Sequence, residues 1–215
     1  MSKTARSQTP LDRRTWLAAH LYEPSLWLGE RSGMRARRHQ LLQCARGTTL
    51  EIGSGTGLNV PHYPATVGEL ILTEPDPGMR ERLRERVDRH RPGAQIVFDR
   101  AGALGLGDDT VDTVVSTLVL CTVDDPMPAL REIARVLRPG GQFLFIEHVR
   151  SQSPRLARWQ DRLERPWRWF ASGCRCNRDT LALIGTAGFA VDAQQATWRG
   201  SPPPVRPLIV GRATV

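Results

Sequence analysis

Residues 50–64, "LEIGSGTGLNVPHYP", run from an apolar stretch into glycines at 53, 55 and 57. Glycines on alternate positions strip the backbone of side chains and let a ligand lie against the main chain. Their spacing narrows the choice of ligand. A dinucleotide fingerprint reads G-x-G-x-x-G, whereas position 58 here is Leu. A P-loop ends in G-K-[ST], and this loop has no lysine. Two carboxylates flank the glycines instead. Glu51 stands just ahead of them, and Glu74 follows the next apolar run, "ELILT". A carboxylate at that place accepts hydrogen bonds from ribose hydroxyls. Two carboxylates without a lysine suit a cationic adenosine compound that carries no phosphate, and S-adenosylmethionine (SAM) is such a compound. The plain alternative is a tight turn in an α/β fold.

Transfer of a methyl group from a sulfonium is an in-line displacement of an already activated group, so the protein's task is positioning. A thiol titrates near about 8.5 and needs little help from a base. A hydroxyl or a carbon acid needs more. His148, closing the run "QFLFIEH", and Asp125 are the candidates for that help. Cys121 falls near the expected methyl group and equally suits a small apolar loop position. Cys174 and Cys176 stand as C-x-C without a second ligand pair, so no metal site is expected.

These residues need elements to carry them. The apolar pattern predicts strands over 48–52, 69–73, 94–100, 111–116 and 142–148, with two late strands over 189–197 and 208–213. Helices are predicted over 77–89, 127–137 and 180–187, and 55–63 should open another. Residues 10–45 read as two helices with Trp16, Leu17, Leu21, Leu26, Met34, Leu41 and Leu42 as apolar positions. Strands alternating with helices imply an α/β fold, a Rossmann-like seven-stranded, mostly parallel sheet with helices on both faces. Ligands in such sheets bind at the carboxyl ends of strands, which is where the glycine loop falls. Residues 1–47 are read as an N-terminal helical segment and 48–215 as the catalytic domain. Residues 153–174 carry Trp159, Trp167, Trp169 and Phe170 among arginines. They are expected to cover the mouth of the cofactor site as a substrate lid, or to cap the sheet.

In order along the chain, "LEIGSGTG", "LTEPDPGM", "GLGDDTVDTVVSTLVLCTVDDP", "LREIARVLRPGG" and "FLFIEHV" resemble the motifs of class I SAM-dependent methyltransferases. Further runs, "TLVLCTV", the "EH" at 147–148, "GCRCNRDT" and "VRPLIVGRA", resemble the thiol methyltransferase-like group. The resemblance implies SAM as cofactor and S-adenosylhomocysteine as product. It implies that Glu51, Gly53, Ser54, Gly55 and Gly57 line the methionine and ribose part, that Glu74 holds the ribose hydroxyls, and that Pro75, Ala101 and Gly102 meet the adenine. Leu118 and Leu120 would begin the loop beside the methyl group, with Leu120, Cys121 and Trp167 toward the acceptor and His148 as the candidate catalytic residue. Relatives often carry an acidic residue just before that alanine, where this chain has Arg100, with Asp99 one place earlier. The resemblance points to a small apolar acceptor, a thiol first. A quinone-ring, phenol or phospholipid-amine acceptor remains open within the same superfamily.

The chain has 215 residues, enough for one domain with its own core. Its net charge is +8, almost all from arginine, since Lys3 is the only lysine. The arginines are dispersed rather than clustered, so no nucleic-acid partner is expected. The region after the fourth strand, "TLVLCTVDDP", also lacks the Asn/Asp-Pro-Pro-aromatic run of base-methylating enzymes. The N-terminus shows no secretory leader, and no stretch approaches the roughly 18 apolar residues of a membrane span. A cytoplasmic location with reduced thiols is expected, with peripheral membrane contact through the aromatic segment.

Overall fold

A computed structural model describes residues 23–24, 26–171 and 173–215. Trp16, Leu17 and Leu21 lie outside the described residues. Seven strands form one sheet: β1 (Gly47–Ile52), β2 (Val67–Thr73), β3 (Gln95–Val97), β4 (Val111–Thr117), β5 (Leu137–His148), β6 (Ala190–Thr197) and β7 (Pro207–Thr214). Their spatial order is β3-β2-β1-β4-β5-β7-β6. Every pair is parallel except the two made by β7 with β5 and β6. The Rossmann-like, mostly parallel sheet read from the sequence is the observed one.

Side-chain alternation sends neighbouring strand residues to opposite faces, and this sheet has a core on each. Leu50, Ile52, Val114, Phe143 and Phe145 pack on one face with Leu130 and Ile133 of α3 (Pro126–Val136) and Ile184 of α5 (Thr180–Thr186). Leu70, Leu72, Val115, Leu144 and Ile146 pack on the other with Leu41 and Leu42 of α1 (Arg35–Leu42) and Leu83 and Val87 of α2 (Pro77–His90). Burial on both faces is why Leu70–Leu72 of β2 and Phe143–Ile146 of β5 read as continuous apolar runs. Three helices start on aspartate caps. Asp76, Asp125 and Asp179 accept from the backbone N–H groups of Met79, Met127 and Ala182 at 2.9, 2.9 and 3.1 Å. Asp125, one of the two residues considered as a base, is the N-cap of α3.

Three element readings need correction. No helix opens at 55–63; only a single tight turn, Val60–His62, forms there. Gly55 and Gly57 hold left-handed φ values of 55° and 82°, which a right-handed helix cannot include, and Pro61 offers no N–H to carry one on. The third strand ends at Val97 rather than 100. Strand alternation thus no longer governs residues 98–100: Asp99 is buried and Arg100 exposed. β5 begins at Leu137, five residues before the expected start, because Leu137 pairs with Val111 before the chain bulges and resumes at Gln142 opposite Thr113. Gly140, at φ 76°, makes that excursion. Among described residues ahead of the sheet, the turn Glu30–Met34 kinks at Ser32 and Gly33 and leads into α1. No helix among the described residues is long and apolar enough to cross a membrane.

Candidate active site

β1 and β4 lie side by side, yet the chain leaves them in opposite directions, toward β2 and toward β5. The crevice at such a switch point, outside the carboxyl ends, is the binding position of open α/β sheets. The loops after β1 and β4 form its two lips.

The first lip is the glycine loop. Ser54 donates its N–H to Thr73 O at 2.8 Å, and Gly55 donates to Glu74 Oε2 at 2.8 Å. Glu74 also accepts from Asp76 N–H through Oε1 at 2.8 Å, so each carboxylate oxygen has one backbone donor. A Cβ on Gly55 would have nothing within 4 Å, whereas one on Gly53 would strike Val119 at 2.7 Å. Gly55 thus borders open space, and Gly53 lets the two lips touch. A small cavity here is lined by Glu51, Gly53, Ser54, Gly55, Asn59 and Thr117, with Arg38. Gly57 does not line it, and a Cβ there would meet Leu83 of α2 at 2.7 Å.

A buried polar network backs this lip. Glu51 accepts from Asn59 Nδ2 at 2.9 Å and from the Tyr63 hydroxyl at 2.6 Å. Asn59 also donates to Thr117 and accepts from Arg38, both at 2.9 Å, and Arg38 pairs with Glu30 at 3.1 Å. Burial pushes the Glu51 carboxyl up to about 7, against the pull of Tyr63 and Asn59. Burial also raises Glu74, while its two backbone donors pull the other way.

The second lip is the loop after β4. Leu118 takes a left-handed φ of 61°, costly for a branched side chain, and is held there by its N–H to Ile146 O at 2.8 Å. The next three N–H groups converge on Glu147. Val119 and Leu120 donate to Oε1 at 3.0 and 3.1 Å, Cys121 donates to Oε2 at 3.2 Å, and the Ser116 hydroxyl adds a bond of 2.6 Å. Burial raises the Glu147 carboxyl and the four donors pull it down. From the opposite side Arg178 donates to the carbonyls of Leu120, Val123 and Asp124. A backbone strained at Leu118 persists because the N–H and C=O groups of this loop are fixed in this way.

Beyond this lip lies a cluster that local spacing does not reveal. His148 Nδ1 lies 3.5 Å from Cys121 Sγ and 3.5 Å from Cys174 Sγ, and the two sulfurs are 3.9 Å apart. Cys174 pairs with these residues rather than with Cys176, its neighbour in the C-x-C run. The sulfur contact holds the Cys174 thiol well below its usual range and drives Cys121 up. The His148 ring stacks on Trp198 at 5.6 Å, and Nε2 has no hydrogen-bond partner among the described residues. Trp167, on α4 (Pro154–Phe170), packs against the apolar cluster of Cys121, Cys174, Cys176 and Val205.

The remaining expected site residues divide by position. Leu120 is fully buried and belongs to the core beneath the loop. Pro75 is exposed after β2, and Ala101 and Gly102 turn beside α3, where a Gly102 Cβ would meet Pro128 at 3.2 Å. Asp99 accepts from Gly105 N–H at 2.7 Å. Glu147, Arg178, Asn59 and Arg38 were not singled out as site residues from the sequence, although Glu147 lies inside "EH" and Arg178 inside "GCRCNRDT".

A family model described as a methyltransferase domain matches residues 50–145. The chain is 36% identical over 173 residues to thiol S-methyltransferase TMT1B of Rattus norvegicus, covering 77% of this chain and 70% of that protein. It is 33% identical over 190 residues to thiol S-methyltransferase TMT1B of Homo sapiens, covering 83% and 76%. The chain belongs to the SAM-dependent methyltransferases. A solved SAM-dependent methyltransferase from Thermotoga maritima shares the fold of this methyltransferase at a TM-score of 0.68 and 24% identity, over 93% of this chain and 99% of that one. The crevice between the glycine loop and the Leu118 turn is the methyltransferase's candidate active site.

Proposed function

We propose that this methyltransferase moves the methyl group of SAM onto the sulfur of a small apolar thiol, leaving S-adenosylhomocysteine. The observation that carries this reading is identity of 33% to 39% with thiol S-methyltransferases over 75% to 83% of the chain. The residues fit the cofactor. Gly55 opens onto free space, and each Glu74 oxygen keeps acceptor capacity for a ribose hydroxyl. Arg38, the cation at the cavity, is already paired with Glu30 and is no phosphate ligand.

When bound, SAM supplies a methyl group activated by its sulfonium. Glu51, Gly53, Ser54 and Gly55 surround its methionine and ribose part, with Gly57 shaping the turn. Glu74 holds the ribose hydroxyls. Pro75, Ala101 and Gly102 flank the adenine. The Leu118 turn sets the wall beside the methyl group, and Glu147 fixes it there. Cys121 and Trp167 belong to an apolar acceptor side that keeps water from a polarisable nucleophile. His148 faces two thiols, so a thiolate that forms near neutral pH is the acceptor needing least from it. Residues 48–215 are the catalytic domain and residues 1–47 an N-terminal segment, whose Arg38 reaches Asn59 of the glycine-loop network. The acceptor is a small molecule rather than nucleic acid.

A methyl-transfer screen with alkyl thiol, phenol, quinol and amine acceptors tests the reading. Turnover of the thiols is expected. Activity confined to a phenol, quinol or amine would overturn it.

A further inference from the structure

Cys121, His148 and Cys174 come from three separate places: the loop after β4, the end of β5, and the segment after α4. All three are buried, with 0%, 5% and 5% exposure. Their donor atoms form a triangle with edges of 3.5, 3.5 and 3.9 Å. These lengths are ordinary for weak hydrogen bonds of sulfur and far too long for a disulfide. They also match a metal site. Zinc binds thiolate sulfur at about 2.3 Å and imidazole nitrogen at about 2.0–2.1 Å in tetrahedral sites, which makes a sulfur–nitrogen edge about 3.5 Å and a sulfur–sulfur edge about 3.8 Å. The triangle has the dimensions of one face of that tetrahedron.

The backbone around each donor is pinned. Cys121 N–H is held by Glu147 at 3.2 Å, and its carbonyl accepts from Arg175 N–H at 2.8 Å. Cys174 N–H donates to Ala171 O at 3.0 Å, and His148 O accepts from Thr180 Oγ1 at 2.9 Å. Stacking on Trp198 fixes the imidazole plane with Nδ1 toward the sulfurs. Ligands held ready in this way lose little freedom when an ion arrives.

We infer that Cys121 Sγ, Cys174 Sγ and His148 Nδ1 bind one zinc ion. Two soft thiolates and one imidazole select a soft tetrahedral cation over magnesium or calcium, which take oxygen ligands. Two protein sulfurs and one nitrogen, with no fourth donor among the described residues, is a ligand set known from three-donor zinc sites. Cys176 is buried in the same apolar cluster but is not one of the converging donors. The ion would tie the Leu118 lip to β5 and to the segment beyond α4.

The test needs no methyl transfer, so it stands or falls separately from the thiol reading. Reduced, chelator-stripped full-length protein is titrated anaerobically with cobalt(II) and then zinc. The expected result is uptake of about one cobalt per chain with a strong near-ultraviolet thiolate-to-cobalt band, bleached by zinc. Cys121→Ser and Cys174→Ser should each abolish the band, while Cys44→Ser, at an exposed site, should keep it. Should those variants fail to fold, the wild-type chain still decides: one equivalent of zinc should raise its thermal midpoint and chelator should reverse the rise. No uptake by the reduced wild type, a band indifferent to Cys121→Ser and Cys174→Ser, or no zinc-dependent midpoint shift would overturn the inference.

Discussion

Glu74 shows how much one carboxylate is asked to do, because it braces the glycine loop through Gly55 N–H and the turn into α2 through Asp76 N–H. Glu74→Ala should weaken SAM binding by about 1–3 kcal/mol through lost charge-assisted bonds, measured by calorimetry against S-adenosylhomocysteine. Unchanged affinity would remove Glu74 from the ribose. Glu51 adds a proton-linked effect. Its folded carboxyl titrates at about 7 against an ordinary 4.5. The unfolded chain therefore ionises first, and Glu51's stabilising contribution, full below the ordinary value, is lost as pH rises through the folded one. A bound cation beside Glu51 favours its ionised form, so SAM binding at about pH 6 should expel a proton, and at about pH 8 should not. Calorimetry in buffers of different ionisation enthalpy reads this directly; equal heats at the lower pH would place the cation elsewhere. The glycine loop, Glu51 and Glu74 were legible in the sequence because loop and carboxylates lie within one strand-turn-strand unit. Glu147, Arg178 and the Cys121–His148–Cys174 triangle were not, since their partners stand 26 to 58 residues away and only the sheet brings them together.

At the scale of elements, α4 hangs on one side chain. Gln160 is fully buried; its amide donates to the carbonyls of Val149, Cys176 and Pro204 at 3.2, 2.8 and 2.9 Å, and its oxygen accepts from Ser151 N–H at 2.8 Å. Gln160→Ala would strand those buried carbonyls and should cost about 1–3 kcal/mol in urea unfolding. A loss within a few tenths of that of a surface control would mean that α4 is held by its apolar contacts alone. The outer side of the same helix exposes Trp159, Trp169 and Phe170 at 55%, 87% and 73% among arginines. That pattern suits the headgroup region of an anionic bilayer. Co-sedimentation with phosphatidylserine vesicles should be lost in Trp169→Ser/Phe170→Ser and weakened by salt; equal sedimentation of the double variant would end the proposal of membrane contact. The segment from 153 to 174 drew notice as an aromatic run, but nothing local marked Gln160, whose partners lie on three other segments. The strands were legible because burial on both faces demands apolar runs. The helix expected after Gly55 was misread because periodicity is blind to left-handed backbone.

Over the whole molecule 22 acids stand against 30 basic residues, and several of the arginines are paired with acids. Arg86 pairs with Glu23, Arg135 with Asp108 and Glu132, Arg138 with Asp112, Arg150 with Asp161, and Arg175 with Asp124. Positive charge interrupted by these acids gives no continuous track for a phosphate backbone. Mobility-shift assays should therefore show only weak, sequence-indifferent binding that vanishes by physiological salt; a steep salt slope with retention there would make nucleic acid a partner. The sequence announced seven strands but not the place of the last. β7 lies between β5 and β6, paired with both. On the ribosome this order has a consequence. Among the described strands β6 has β7 alone as its neighbour, and β6 is made first; until residues 207–214 emerge, β5 also waits with one edge bare. Two half-satisfied strand edges are held open over that interval, and the nascent chain is exposed to its own copies until β7 closes them.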